Sequence, residues 1–344
     1  MTDHQIQRIL DTKTFPDGHQ QDIRLVETHI SWVILTPEFA FKIKKPITYA
    51  FLDFSTLEKR KFYCERELVL NRRLTQEMYL VVVPVRAAGK HIFIGGEQGE
   101  IIDYALKMRR MDESRQMNLL LEKGEVTLEH IRQLATKLAN FHSRAEVVKT
   151  EPDLRAMQAD FADILQVKNF LTGLLGKPAA DTLEAAVAFS SRFLQQHERR
   201  MFERHRQNFT LDGHGDLHSK NIFLPLAGEP VIFDCIEFND HLRQVDILNE
   251  LAFLCMDLDF FKREDLAIHF LKNYLPIYPC LFDEEDHRLF NYFKLYRANV
   301  RLKVSALKAR SVLEGNEMEK HLFPVKEYLK LLKRYLKALS VSVE

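Results

Sequence analysis

The chain has 344 residues, 46% hydrophobic and 28% charged, the composition of a globular protein and not of a disordered or fibrous one. Its 49 Lys and Arg balance 49 Asp and Glu, so the basic excess of a nucleic-acid binder is missing and no such partner is expected. Four scattered cysteines without Cys-x-x-Cys spacing argue against a zinc site or a disulfide framework, and no apolar run reaches the ~18 residues that would predict a membrane span.

The start, Met1-Thr2-Asp3-His4, lacks the basic and then apolar pattern of a secretory signal, so a reducing, cytoplasmic setting is expected. From about residue 22 to 111 the chain alternates as strands do. Trp32 and Ile34, then Phe39, Phe41 and Ile43, fall at period two on either side of Thr36-Pro37-Glu38, which predicts a hairpin. Ser55-Thr56-Leu57-Glu58 has the pattern of a capping box and predicts a helix running to about Leu74. Apolar runs at Tyr79–Val85, His91–Ile94 and Ile101–Met108 come next, with Gly95-Gly96 turning the chain between the last two. After residue 111 helical periodicity takes over, with a stripe of Ile131, Leu134, Ala135, Leu138 and Phe141 and others in 155–175, 181–205, 246–275, 286–313 and 322–339. One island of strand character, Asn221 to Phe238, interrupts them.

That island comes after His214-Gly215-Asp216-Leu217-His218-Ser219-Lys220-Asn221, whose H-x-D-x-x-x-x-N spacing is that of a kinase catalytic loop. An Asp at the third position, Asp216, can accept the hydrogen bond of an incoming hydroxyl, and Asn221 offers a neutral oxygen to a magnesium ion. The segments Asn221–Leu224 and Val231–Asp234 flank a turn-rich Pro225–Pro230. If Leu224 pairs with Val231, Asn221 lies opposite Asp234 with Cβ atoms about 5 Å apart, and one hard cation fits between their oxygens.

In the first half, Phe39-Ala40-Phe41-Lys42 has the small-x-Lys order of a kinase V-A-I-K strand. Alternation puts Ala40 and Lys42 on one face, so that a small residue can roof an adenine while Lys42 reaches the phosphates; Lys44 shares that face and competes for the role. Glu67 falls within the helical stripe of Tyr63, Leu70 and Leu74, where a carboxylate needs a partner, and Lys42 is the expected one. Glu65 falls on the more polar side.

Together with Thr28–Val33, Phe41–Pro46, Phe51–Glu58 and Phe233–Phe238, these residues resemble the aminoglycoside phosphotransferase-like family, in its bacterial branch of uncharacterised phosphotransferases, from about residue 20 to 275. The resemblance implies an α+β, protein-kinase-like two-lobed fold. It has a small antiparallel-sheet N-lobe with one helix over 1–111 and a larger, mainly helical C-lobe over 112–344. It implies ATP and Mg2+ as cofactors, Asp216 as acid-base residue, Asn221 and Asp234 as metal ligands, and phosphate transfer to a small-molecule hydroxyl acceptor. The chain departs from the pattern at three places. No glycine-rich loop precedes Lys42, so phosphate cover must come from Thr28, Ser31 or backbone. Cys235-Ile236 follows the metal Asp, and Glu250 stands where an Asp is expected. The missing glycines motivate an alternative, a catalytically weak nucleotide-binding regulatory protein of the same fold. The basic amphipathic stretch Lys326–Lys337 is expected to dock on the C-lobe in preference to a membrane.

Overall fold

A computed structural model describes residues 1–19, 21–49, 51–311 and 318–341. The chain divides into two units, Met1–Lys123 with Lys220–Arg243, and Gly124–Ser219 with Gln244–Glu344. The sequence pattern suggests one boundary, at residue 111; the chain in fact passes between the units at 123/124, 219/220 and 243/244.

In the first unit the Thr36–Glu38 turn joins Ser31–Leu35 to Phe39–Lys44 with Trp32 opposite Ile43 and Ile34 opposite Phe41, the register that alternation predicts. These strands belong to a six-stranded antiparallel sheet in the order Arg24–Glu27, Ser31–Leu35, Phe39–Lys44, Glu100–Arg109, Tyr79–Ala88, His91–Ile94. One face buries Trp32, Ile34, Phe41 and Ile43 beneath Ile6 and Ile9. The latter two come from a helix, Asp3–Thr12, that the sequence pattern does not announce. It is opened by a capping box in which Thr2 and Gln5 satisfy each other's backbone N–H groups. The opposite face buries Leu35, Ala40, Leu106 and Met108 with Phe223.

The helix Leu57–Arg72 starts one residue later than the capping-box pattern implies. Thr56 is the N-cap, accepting from Lys59 N at 3.2 Å, because Asp53 already holds both the N–H and the hydroxyl of Ser55. The hairpin Ile222–Phe223 with Val231–Ile232 joins this unit because its aromatic side is apolar: Phe223 and Phe233 stack with ring centroids 4.9 Å apart against the sheet cluster.

The second unit is mainly helical. The stripe expected over 155–175 is two helices, Leu154–Ala162 and Lys168–Leu175, separated by a 3-10 turn, and that over 246–275 is Ile247–Phe260 and Glu264–Tyr274, broken where Lys262 takes a φ of 58°. The long helix Glu284–Ser311 covers the stripe begun at 286; residues 312 and 313 lie outside the described residues. The helix Met318–Val341 docks as expected, burying Tyr328, Leu332, Tyr335 and Leu339. Its Tyr335 hydroxyl and Arg334 both engage buried Asp259, which also meets Lys294. Asp259 is therefore an internal partner of this helix. Among the described residues no helix is long and apolar enough to cross a membrane.

Phe223→Ala removes the ring that fastens the hairpin to the sheet and should cost about 3 kcal/mol in urea-induced unfolding, the usual scale for a Phe→Ala cavity.

Candidate active site

On the sheet face opposite Phe41 and Ile43, the strand Phe39–Lys44 presents two lysines to the helix Leu57–Arg72. Glu67 of that helix is fully buried and shared between them, with Lys42 Nζ 2.7 Å from Oε1 and Lys44 Nζ 2.7 Å from Oε2. Lys42 reaches onward to Asp234 Oδ1, also at 2.7 Å, and Lys44 to Glu237. The result is one line of alternating charge, Asp234–Lys42–Glu67–Lys44–Glu237. The Lys42 side chain retains 12% exposure and Lys44 1%, so Lys42 is the lysine that a ligand can meet. Glu65 is exposed, pairing loosely with Lys61 at 3.8 Å.

Burial disfavours every charge in this line, and the neighbours decide which groups stay ionised. Burial opposes the Lys42 ammonium, yet Asp234, Glu67 and Glu237 more than reverse that and hold its pKa well above the ordinary lysine value. Lys44 is raised in the same way by Glu237 and Glu67. For Glu67 burial pushes up, but two ammonium groups and their hydrogen bonds win and bring it to about 2. Glu237 is pushed up by burial, which its single lysine contact does not overcome.

The carboxylate at the end of the line is aimed by an unusual backbone. The hairpin register is Ile222 opposite Ile232 and Phe223 opposite Val231, one residue off the expected pairing of Leu224 with Val231. Asn221 is therefore level with Phe233, whose N–H donates to Asn221 O at 3.0 Å, and not with Asp234. The slip has a physical cause: it gathers Ile222 and Ile232, both fully buried, on one face and the two stacked phenyl rings on the other. Asp234 then leaves the strand with a φ of 63°, a left-handed conformation that Asp tolerates better than most side chains. Three contacts hold the backbone of residues 234–236. Asp234 N donates to the Tyr79 hydroxyl at 3.1 Å, Cys235 N to Asn71 Oδ1 at 2.9 Å, and Arg243 Nη1 to Ile236 O at 2.7 Å.

Asn221 and Asp234 fit a divalent cation in chemistry. Both offer hard oxygens, the Asp234 side chain is 44% exposed, and the line has three carboxylates for two ammonium groups, an excess of negative charge that a cation relieves. Among the described residues no group of three or more His, Cys, Asp or Glu side chains is gathered around one point. Magnesium, which keeps several waters and takes one or two protein oxygens, suits such a donor set.

The segment that stands in place of a glycine-rich loop is a closed turn. Thr28 Oγ1 accepts from Ile30 N at 3.3 Å and Ser31 N at 2.9 Å, while Thr28 N donates to Ser31 O at 2.9 Å. These backbone N–H groups, expected to cover phosphates, are already bonded within the turn. The buried Ser31 hydroxyl finds no partner among the described residues.

Asp216 belongs to the second unit, on the loop after the short strand Thr210–Asp212, which pairs with Gln244–Asp246. Buried Glu250 organises the loop: its carboxylate accepts from His214 N at 2.8 Å, Gly215 N at 3.1 Å and His142 Nε2 at 2.9 Å. Against the burial penalty, His142, His214 and the Gly215 N–H hold Glu250 at about 2. Two glycines make this possible. Gly215 has a φ of 82°, and a Cβ on Gly213 would sit 2.2 Å from Glu250 Oε2. Further along, Ser219 N donates to Asp257 Oδ2 at 2.8 Å. The Asp216 carboxylate, 35% exposed, lies 3.3 Å from His218 Nε2, which in turn is 3.4 Å from Arg301 Nη1. Burial would raise the Asp216 pKa, but His218, Arg301 and His214 hold it well below the carboxylate range, so it is ionised and able to accept a proton or hydrogen bond. Arg297 reaches the same loop through Gly215 O at 3.2 Å.

Lys42, Glu67, Lys44 and Asp234 are thus brought into direct contact and Asn221 lies on the same hairpin as Asp234. Sequence reasoning missed Asn71, Tyr79, Glu237, Arg297 and Arg301. Asn71 had a signal: it stands four residues after Glu67 and so on the same helical face. Asp246 binds Arg204 at 2.8 Å and caps the helix Ile247–Phe260 through Leu248 N.

No protein-family model matches the chain. It is 31% identical over 291 residues to uncharacterised proteins of Mycobacterium tuberculosis and Mycobacterium bovis, an alignment covering 83% of this chain. The chain spans only 55% of the length of those relatives. Among solved structures it is similar to a choline kinase from Cryptosporidium parvum (TM-score 0.57, 11% identity, 98% of this chain and 97% of that one). It is similar also to a GDP complex of aminoglycoside 2'-phosphotransferase-IIIa (TM-score 0.54, 13% identity, 98% and 99%). A choline/ethanolamine kinase family protein from Mesorhizobium loti aligns with a TM-score of 0.52 at 12% identity over 97% and 98%. These likenesses establish the α+β kinase-like fold, with a sheet-built small lobe and a mainly helical large one.

Glu67→Ala should cost about 3–5 kcal/mol in chemical denaturation, since it strands two buried ammonium groups at once. Glu250, at about 2 in the fold against an ordinary 4.5, contributes stability that is complete above pH 4.5 and disappears as the pH falls through about 2. Glu250→Gln should therefore flatten the acid limb of the stability–pH curve between those values, measured by thermal unfolding.

Proposed function

We propose that this chain, which has the fold of the aminoglycoside phosphotransferases and choline kinases, is a phosphotransferase that uses magnesium and ATP to phosphorylate a hydroxyl of a small molecule. The observation that carries the reading is the contact of Lys42 with both Glu67 and Asp234. Glu67 holds the lysine from behind. With a nucleotide bound, Lys42 would hold its phosphate oxygens in place of the Asp234 carboxylate. Asn221 and Asp234 would hold the magnesium ion, which supplies charge neutralisation at the transferring phosphoryl group. Ala40 shares the Lys42 face of the sheet, buried with Leu106, Met108 and Phe223, and would be the small residue nearest a base. Asp216 orients the acceptor hydroxyl and takes its proton as the oxygen attacks. Glu250 and the two glycines fix the loop that carries it. The four cysteines are free and buried, which accords with a cytoplasmic setting.

A second reading, a nucleotide-binding regulatory protein with little turnover, is favoured by the closed Thr28–Ser31 turn. The Thr28, Ile30 and Ser31 amides, bonded within that turn, are not free to stabilise a phosphate in the transition state.

Asp216→Asn should lower turnover by about 10² to 10⁴, the usual worth of a positioned acid-base group, with Mg-ADP binding unchanged. The assay is ADP release across a panel of hydroxyl acceptors. Transfer at the wild-type rate in that variant would remove Asp216 from the reaction, and Mg-ATP binding without transfer to any acceptor would favour the second reading.

A further inference from the structure

We infer that Lys44 and Glu237 are positioning residues that set the availability of Asp234 to its metal ion, an inference that rests on the functional reading above. A kinase-like site needs one lysine and one helix glutamate; here a second lysine, Lys44, shares that glutamate and a second acid, Glu237, comes from the segment after the hairpin. Lys44 lies 1% exposed between Glu67 and Glu237, with its ammonium 4.8 Å over the Phe54 ring. It is too enclosed to meet a phosphate. Burying such a pair is expensive, and a well-packed apolar pair of the same volume would serve stability as well or better. What apolar groups could not do is divide Glu67 between two cations.

That division controls Lys42. Its ammonium is shared between Glu67 and Asp234, and how strongly it holds Asp234 depends on how much of Glu67 it commands. Glu237 draws Lys44 partly away from Glu67 and so leaves Glu67 Oε1 to Lys42. Remove the Glu237 charge and Lys44 turns wholly to Glu67. Lys42 is then driven onto Asp234, in competition with the cation. Glu237 also fixes the backbone that bears Asp234, three residues upstream. Together with the Tyr79 hydroxyl, the Asn71 amide and the Arg243 guanidinium it makes a fourth fastening of residues 234–237. Asn71 and Glu67 stand one helical turn apart, so the same helix face that holds the lysines holds this segment.

The test is titration calorimetry of the full chain with ADP at graded magnesium concentrations, and with ADP plus a chelator. Glu237→Gln, nearly isosteric, should raise the magnesium needed for half-maximal ADP binding about tenfold, a larger change than any in metal-free ADP binding. Adding Lys44→Met to it should restore part of the loss, because Lys42 then has Glu67 to itself. A merely structural role would lower the unfolding temperature without moving the magnesium requirement. A folded Glu237→Gln chain with wild-type magnesium dependence overturns the proposal. Should Glu237→Gln not fold, Lys44→Arg, which keeps the charge but forks it differently, reads the same displacement. Failure of the functional reading looks different: a wild-type chain that binds Mg-ADP and transfers no phosphate, whose metal dependence still reports on Lys44 and Glu237.

Discussion

Two ammonium groups share one buried carboxylate, and the first unit of this protein is organised around that fact. Glu67 cannot stay ionised inside the first unit without cations, and Lys42 and Lys44 cannot stay there without anions. Each end of the line therefore recruits another acid, Asp234 on one side and Glu237 on the other. Both belong to one short segment of chain almost two hundred residues away in sequence. The electrostatics thus specify a tertiary connection that hydrophobic packing alone would leave loose. Phe223 and Phe233 bring the hairpin to the sheet, and the ion line determines how its last residues lie.

The Asp216 loop of the second unit obeys the same logic with hydrogen bonds in place of ion pairs. Glu250 gathers backbone N–H groups from His214 and Gly215, and Asp257 takes that of Ser219. Between these two anchors Asp216 keeps partial exposure. A buried acid that collects amides makes a rigid mount, and a half-exposed acid surrounded by His and Arg remains charged and reactive.

Much of this was legible in the residues. The Thr36–Glu38 hairpin could be read because alternation and a turn signal agreed, and Glu67 stood out because a carboxylate interrupted an apolar helical stripe. The hairpin register could not be read so easily. Turn composition around Pro225–Pro230 allowed either pairing, and the choice fell to which hydrophobic partners matched, a matter of tertiary context. Glu237 was invisible for the same reason: nothing local distinguishes an acid bound for a buried lysine from one bound for water. The N-terminal helix was missed although Thr2 and Gln5 bear its capping signature, since ten residues with two buried isoleucines give a faint periodic signal. The pattern of glycines misled in one respect. Their absence near Lys42 pointed to missing phosphate cover, and the compact turn of Thr28 shows what occupies the place, but a turn closed on itself carries no mark in composition.

The closeness of Gly213 to Glu250 bears on how this protein could have diverged. Where an aspartate was expected, a side chain longer by one methylene pushes its oxygens to within 2.2 Å of where any Cβ at 213 would be. The two positions are then a linked pair. A side chain at 213 would displace the longer acid from its present place, and shortening the acid would relieve that restriction on 213. Across homologous chains the identities at these two sites should change together, with glycine at 213 wherever glutamate stands at 250.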